Sequence, residues 1–166
     1  MMITMSRKGK QFSHLDENGA AHMVDIGEKE ITRRVAVASC RMHMKPATLK
    51  AVLEDRIKKG NVFTVAKIAA IGAAKRTGDL IPLCHGLSPE HVDVRFLHDA
   101  EKGTLEITAS VTVTAKTGAE MEALQAAAQA SLAVYDMCKA VDRGIVITDL
   151  RLIAKEGGKS GTWKRE

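Results

Sequence analysis

The strongest constraint on the fold is the alternation of apolar and polar residues in TLEITASVTVTAK, residues 104–116. Successive side chains of a strand point to opposite faces, so the apolar positions share one face: Leu105, Ile107, Ala109, Val111 and Val113. The preceding HVDVRFLHD, residues 91–99, is a second strand candidate, and AEKG between the two segments predicts a turn. The pattern therefore predicts a β-hairpin with one buried face.

The rest of the chain predicts two further strands and three helices. A β-branched segment before Pro46, residues 32–44, and residues 145–158 predict strands. Helical spacing and strong helix formers predict helices at 45–60, at 62–77 behind an Asn61 cap, and at 118–144. The resulting order predicts an α+β fold of the ferredoxin-like split βαβ type, an antiparallel sheet with helices packed on one face. Oligomerisation is one way to cover the other face.

Length, charge and cysteine content limit the class of protein. One domain is expected at 166 residues, and the net charge of +5 suits an anionic ligand such as a phosphate. Three widely spaced cysteines without a CxxC favour a reducing compartment, so we expect a cytoplasmic protein. No apolar run reaches the roughly 18 residues of a membrane span, and the start has no hydrophobic signal core. We expect no membrane partner.

The adjacent Cys84 and His85 in LIPLCHG, residues 80–86, suggest a metal site, a nucleophile or a core filler. Neighbouring side chains on an extended chain point opposite ways, which disfavours both chelation of one ion and a Cys–His catalytic pair. We therefore predict no metal site and a buried filler role for Cys84. His85 follows a segment stiffened by Pro82. It either projects into a cleft for proton transfer or is an ordinary histidine.

Ionisable residues stand at both ends of the predicted long helix, Glu120 and Glu122 near its start and Asp136 and Lys139 near its end. Early glutamates oppose the helix dipole and an i,i+3 Asp–Lys pair is common on surfaces, so both have an ordinary interpretation. The turns before Asp136 carry no charge, however, which favours a pocket there. Glu122 and Asp136 share a face but lie about 21 Å apart at the usual rise. They serve either two ends of a large substrate or a site shared between subunits.

Lysines supply candidate phosphate contacts in two further segments. AKEGGKSG, residues 154–161, is either a flexible cationic tail or a phosphate loop with consecutive glycines and three suitable side chains, Lys155, Lys159 and Ser160. It is not a P-loop, because Ile153 stands where that motif needs glycine. Lys59, at the end of predicted helix 45–60, caps the helix dipole, reaches a phosphate or acts in proton transfer.

Five blocks along the chain together carry a family resemblance. They are HMVDIG (22–27), KKGNVFTVAKIAAIGAAKRTGDLIPLCH (58–85), KTGAEMEAL (116–124), YDMCKAV (135–141) and AKEGGKSG (154–161). The set resembles the cyclic pyranopterin monophosphate synthase family, the MoaC family of molybdenum cofactor biosynthesis. The similarity covers residues 13–161, taken as one domain between a flexible arm, 1–12, and a tail, 162–166. Gly86 stands where members commonly have proline, and Asn61 where aspartate is common.

The resemblance implies a ferredoxin-like subunit in a homohexamer, a trimer of dimers, with active sites at subunit interfaces. It implies a phosphorus–oxygen lyase that converts 3′,8-cyclo-7,8-dihydro-GTP, supplied by a radical S-adenosylmethionine GTP cyclase, to cyclic pyranopterin monophosphate and pyrophosphate. No cofactor is required on this basis, and a role for Mg²⁺ on the triphosphate is left open.

The resemblance also assigns roles to matching positions of this chain. Asp136 is the implied catalytic residue, and Lys59, His85 and Lys139 are expected to take part in its proton and phosphate chemistry. The implied substrate-binding residues are Leu83, Cys84, His85, Glu120, Met121, Glu122 and Lys155.

A non-catalytic ferredoxin-like module that binds a nucleotide or RNA is the alternative function. RNA-recognition sheets stack bases on strand aromatics, whereas Phe96 is the only aromatic residue on a candidate strand. The glycine–aromatic signature of such modules is absent as well. We therefore expect no nucleic-acid partner.

Overall fold

The computed structural model describes residues 20–166, so the predicted arm at 1–12 lies outside the described residues. The elements are β1 (Thr32–His43), α1 (Pro46–Leu53), α2 (Val62–Lys75), α3 (Thr77–Leu80), β2 (His91–Asp99), β3 (Thr104–Ala115), α4 (Glu120–Cys138), β4 (Val146–Glu156) and β5 (Trp163–Lys164). The strands form one antiparallel sheet in the order β2-β3-β1-β4-β5. The predicted α+β class is confirmed, and β2-β3-β1-β4 is the strand order of a split βαβ fold.

The hydrophobic core lies between one face of the sheet and the helices α2 and α4. The predicted apolar row of β3 is confirmed, because each of its five members is at most 3% exposed. Neighbouring β1 buries Ala36, Ala38, Cys40 and Met42 on the same side. The buried faces of α2 and α4 consist mainly of alanine, whose small side chain lets the helices approach the sheet and each other closely.

The opposite face of β3 carries Glu106, Thr108, Ser110 and Thr112, which are only half-buried. Alternation thus separates a fully buried face from a partly open polar one, as the sequence predicts. Among the helices in residues 20–166, none combines the length and the apolar composition needed to cross a bilayer.

The first helix is shorter than predicted, because α1 ends at Leu53 instead of Gly60. Asp55 has a left-handed backbone with φ of 52°, and the N–H of Arg56 donates to the carbonyl of Ala51 at 2.8 Å, which closes the helix. The Asp55 carboxylate accepts a hydrogen bond from the Asn61 side chain at 2.6 Å. Ile57 keeps its predicted burial, at 7% exposed, but from the loop.

The predicted long helix also ends early, at Cys138 rather than Gly144. The next residues turn back, and the Asp142 carboxylate bonds to α1 across the fold. These distant hydrogen bonds replace further helical turns. Two smaller elements were not predicted. They are the short helix α3 and the strand β5, and β5 pairs with β4 inside the segment 162–166 that was predicted as a tail. The Asn61 cap of α2 is confirmed, since its side chain accepts from the N–H of Thr64 at 2.8 Å.

Candidate active site

Ionisable side chains gather at the two ends of α4. The C-terminal cluster consists of Lys59, Asp136 and Lys139. The N-terminal cluster consists of Cys84, Glu120, Glu122 and Lys155. The helix holds Glu122 and Asp136 about 21 Å apart at the usual rise per residue. One compact ligand therefore cannot contact both clusters of the same subunit.

The C-terminal cluster places one carboxylate between two ammonium groups. Lys59 Nζ donates to Asp136 Oδ2 at 3.0 Å and to the Asp136 carbonyl oxygen at 2.6 Å. Lys139 Nζ lies 2.6 Å from Asp136 Oδ1. Hydrogen bonds from Lys139 and Lys59 lower the pKa of Asp136 to about 2, and the same carboxylate raises the pKa of Lys139. Asp136 is thus ionised and Lys139 protonated at neutral pH.

Lys59 reaches this cluster from a loop, so the prediction that it ends a helix was wrong. Because α1 closes at Leu53, the chain between α1 and α2 is free to cross to the last turn of α4. The side chains of Lys59, Asp136 and Lys139 are 42%, 55% and 52% exposed. The cluster is therefore open to an incoming anion.

The N-terminal cluster combines an ion pair with a buried acid. Lys155 Nζ, on β4, lies 2.8 Å from Glu120 Oε1. Glu122 is 1% exposed, and neither of its carboxylate oxygens has a hydrogen-bond partner among the described residues. Burial raises the pKa of Glu122 to about 7, with a further contribution from the negative charge of Glu120. Glu122 is therefore able to hold or release a proton near neutral pH.

The loop after α3 brings Cys84 close to this buried acid. Its first turn is closed by a hydrogen bond from Cys84 N–H to the Ile81 carbonyl at 3.0 Å, with Pro82 at the position where its fixed φ suits a turn. Gly78 supports the loop from α3, because a Cβ there would lie 2.7 Å from Gly86 Cα. The close backbone contact between Gly78 and Gly86 thus adds to the rigidity that Pro82 is predicted to give this loop.

Cys84 is half-buried, not the fully buried filler that the sequence predicts. Burial raises the pKa of its thiol, and the charges of Glu122 and Glu120 raise it further, so the group is a weak nucleophile at neutral pH. Leu83 is 38% exposed, and His85 and Met121 are half-buried. The substrate-binding roles of these three residues stay predictions.

A cavity of about 850 Å³ opens beside the N-terminal cluster and is rich in cations. Its charged and polar lining includes Lys29, Arg34, Lys116, Lys155, Lys159 and Ser160, together with Glu28, Glu30 and Glu120. The structure thus adds Lys29, Arg34 and Lys116 to the predicted candidates. Arg34 gave a signal in the sequence, because it has the same strand parity as the buried row of β1 but carries a charge.

Arg34 and the glycine loop after β4 shape this cavity together. The guanidinium donates to the carbonyl oxygens of Ala115 and Lys116 at 3.0 and 3.2 Å. A side chain at Gly158, which has φ of 71°, would overlap the Arg34 guanidinium. AKEGGKSG therefore has an ordered role as a cavity wall, and its proposed contact with phosphate stays a prediction.

Comparisons with known proteins identify relatives over nearly the whole chain. A family model described as the MoaC family matches residues 23–158. A protein of Parvibaculum lavamentivorans is 54% identical over 155 residues, covering 93% of this chain and 97% of the relative. One of Chloroflexus aggregans is 52% identical over 162 residues, covering 98% of each. One of Pelotomaculum thermopropionicum is 53% identical over 154 residues, covering 93% and 91%. All three relatives are named cyclic pyranopterin monophosphate synthase.

Proposed function

The chain belongs to the MoaC family, and from this premise we propose that it is a cyclic pyranopterin monophosphate synthase of molybdenum cofactor biosynthesis. Its substrate is 3′,8-cyclo-7,8-dihydro-GTP, supplied by a radical S-adenosylmethionine GTP cyclase, and its products are cyclic pyranopterin monophosphate and pyrophosphate. The reaction class is a phosphorus–oxygen lyase. The observation that carries the proposal is the open C-terminal cluster, in which Asp136 contacts two lysines.

The two lysines of the C-terminal cluster suit the phosphate half of the reaction. Forming the cyclic phosphate joins a substrate hydroxyl oxygen to the α-phosphorus and breaks the bond to the β-phosphate oxygen, which leaves as pyrophosphate. Lys59 and Lys139 stabilise the charge that accumulates on these oxygens. When the phosphates draw the ammonium groups away, Asp136 loses the contacts that lower its pKa. The pKa of Asp136 then rises toward the ordinary carboxyl value, and Asp136 accepts the hydroxyl proton as a general base in the transition state.

The N-terminal cluster suits the ring half of the reaction. Opening the five-membered ring of the purine and building the pyranopterin require several proton transfers. His85 and Glu122 are the proton carriers on this side, Glu122 because its pKa of about 7 allows both protonation states. Glu120 accepts hydrogen bonds from guanine-derived N–H groups, and Lys155 holds Glu120 in place at 2.8 Å until a phosphate competes for it.

We further propose that one active site combines the C-terminal cluster of one subunit with the N-terminal cluster of a neighbour in a homohexamer, a trimer of dimers. The separation of about 21 Å along α4 supports this arrangement, since each subunit offers two incomplete halves. Large apolar side chains remain exposed on the helices, including Ile68 at 66% and Leu132 at 52%, and in the turn after α4, where Val141 is 60% exposed. Such surfaces favour contact with another subunit.

The remaining expectations follow the same proposal. The protein works in the cytoplasm, where all three described cysteines stay free thiols. It needs no resident cofactor, and any Mg²⁺ arrives on the triphosphate. Activity that survives removal of divalent ions by a chelator would support a role for the lysines alone in holding the phosphates.

The direct test is to incubate the purified full chain with 3′,8-cyclo-7,8-dihydro-GTP. We expect equal amounts of pyrophosphate and pyranopterin product, measured by a coupled phosphate assay and by liquid chromatography. Lys59→Ala is expected to lose turnover, and Lys50→Ala, a substitution on the nearby helix α1, is the matched control. Binding of the nucleotide without any product would instead favour the non-catalytic binding module.

Mixing two inactive variants tests whether the site is shared. Asp136→Ala removes one cluster and Lys155→Ala the other, so hexamers assembled from equal amounts should contain about one intact site in four. Mixing Lys59→Ala with Asp136→Ala should restore nothing, because both residues belong to the same cluster. No recovery in the first mixture, with mixing shown by mass spectrometry, would contradict the shared site.

A further inference from the structure

Asp142 is a buried carboxylate outside the catalytic clusters, in the turn that follows α4. Asp142 is only 2% exposed, and its carboxylate accepts three hydrogen bonds. Oδ2 accepts from the backbone N–H of Lys45 at 2.8 Å and from the hydroxyl of Thr48 at 3.1 Å. Oδ1 accepts from the N–H of Gly144 at 3.1 Å. These contacts, the Lys45 amide first, lower the pKa of Asp142 and keep it ionised.

The carboxylate of Asp142 holds the start of α1, which has no side-chain cap of its own. Lys45 occupies the N-cap position of α1 but offers no side-chain hydrogen bond, and Pro46 has no N–H. Asp142, 97 positions away in the sequence, instead accepts from the N–H of Lys45 and from the hydroxyl of Thr48 in the first turn, and its negative charge opposes the positive end of the α1 dipole. The start of α1 is thereby fixed to the end of α4.

The two segments joined by Asp142 are the ones that carry the C-terminal cluster. Lys59 follows α1 by a short loop whose Arg56 amide is bonded back to Ala51. Asp136 lies in the last turn of α4, whose Cys138 carbonyl accepts from the N–H of Asp142 at 3.0 Å. A shift of α1 relative to α4 would thus change the distance from Lys59 Nζ to Asp136 Oδ2.

We propose that Asp142 is a positioning residue for the reaction, which holds α1 and its following loop at the distance from α4 where Lys59 meets Asp136. Asp142 itself touches no substrate. The proposal rests on the proposed function in taking Lys59 and Asp136 as catalytic. Displacements of about 1 Å are enough to reduce a rate by about 100-fold. A small shift of α1 relative to α4 therefore has a measurable effect on the reaction.

Asp142→Asn is the main test, because it keeps the size of the side chain but replaces an acceptor by a donor. We expect kcat/KM to fall about 10- to 100-fold at a temperature where circular dichroism and size exclusion show a folded, normally assembled protein. The matched control is Asp99→Asn, a carboxylate that accepts two backbone amides in the β2–β3 turn. It should remain within about twofold of the wild type.

Two further measurements separate positioning from a general loss of stability. In a Lys59→Arg background, Asp142→Asn should reduce kcat/KM by less than about threefold further, because both substitutions act on the same contact. A full multiplication of the two losses would overturn the proposal. If Asp142→Asn does not fold, Thr48→Val removes one of the three contacts and should give a smaller loss in kcat/KM.

A crystal structure of the Asp142→Asn or Thr48→Val variant decides the question independently of activity. We expect Lys59 Nζ to move from 3.0 Å to beyond about 4 Å from Asp136 Oδ2, outside ion-pair contact. An unchanged contact, or wild-type kcat/KM, would refute the positioning role. If the wild-type protein made no product, the proposed function would fail. The distance from Lys59 Nζ to Asp136 Oδ2 in the variants would still test whether Asp142 positions Lys59.

Discussion

Replacing Glu122 by glutamine tests whether the buried acid of the N-terminal cluster controls how stability depends on pH. The folded pKa of Glu122 is about 7, against an ordinary value of 4.5. A raised carboxyl pKa favours the folded state below pH 4.5, and this contribution is lost as the pH rises through 7. At about 1.4 kcal/mol per pKa unit, the loss in unfolding free energy amounts to about 3 kcal/mol. Glutamine cannot ionise, so the Glu122→Gln variant should not show this loss of unfolding free energy.

The assay is urea unfolding of wild type and Glu122→Gln at one protein concentration, at intervals between pH 4.5 and 8.5. The stability of the wild type relative to the variant should fall by about 3 kcal/mol over this range. Glu101→Gln, an exposed acid in the β2–β3 turn, is the control and should follow the wild type. A stability difference between wild type and Glu122→Gln that stays constant with pH would refute the reasoning.

Two other predictions concern the geometry of the clusters. Asp136→Asn keeps the shape of the side chain but not its charge or basicity, so turnover should fall by about 100-fold or more while size exclusion shows unchanged assembly. Wild-type product formation would remove Asp136 from catalysis. Gly78→Ala places a Cβ 2.7 Å from Gly86 Cα, so the loop that carries Cys84 must shift. Substrate affinity, measured by calorimetry, should weaken, whereas Gly72→Ala, with only a flexible side chain within reach at 3.7 Å, should bind normally.

The sheet and the apolar face of β3 were predictable from the sequence because they depend on local alternation. Helix ends were less predictable, since tertiary contacts decide them. The apolar spacing of Ile57 fits a helix that runs to Gly60, but the left-handed Asp55 ends α1 earlier. Similarly, good helix formers continue past Cys138, and only the fold shows that Asp142 is needed by Lys45.

The sequence indicated the two groups of candidate residues but not the contacts within them. The resemblance named Lys59, Asp136 and Lys139 together with Glu120 and Lys155, and helix geometry showed that the ends of α4 are far apart. The direct contact of Lys59 with Asp136 depends on a loop conformation that no periodicity reports. Arg34 was missed although its strand parity gave a signal, because strand register and the glycine loop after β4 are needed to show that it lines a cavity.

The uninterrupted helix α4, 19 residues long, fixes the distance between the two clusters that each subunit contributes to the proposed sites. Loops elsewhere can lengthen without changing the distance between Glu122 and Asp136, because both residues lie on this one helix. Within α4, one inserted residue would move Asp136 about 1.5 Å along the axis and rotate it by about 100°. Both the spacing and the direction of the halves would then be lost in every subunit. In the proposed shared site, the length of this helix is thus as much a requirement as the identity of any side chain on it.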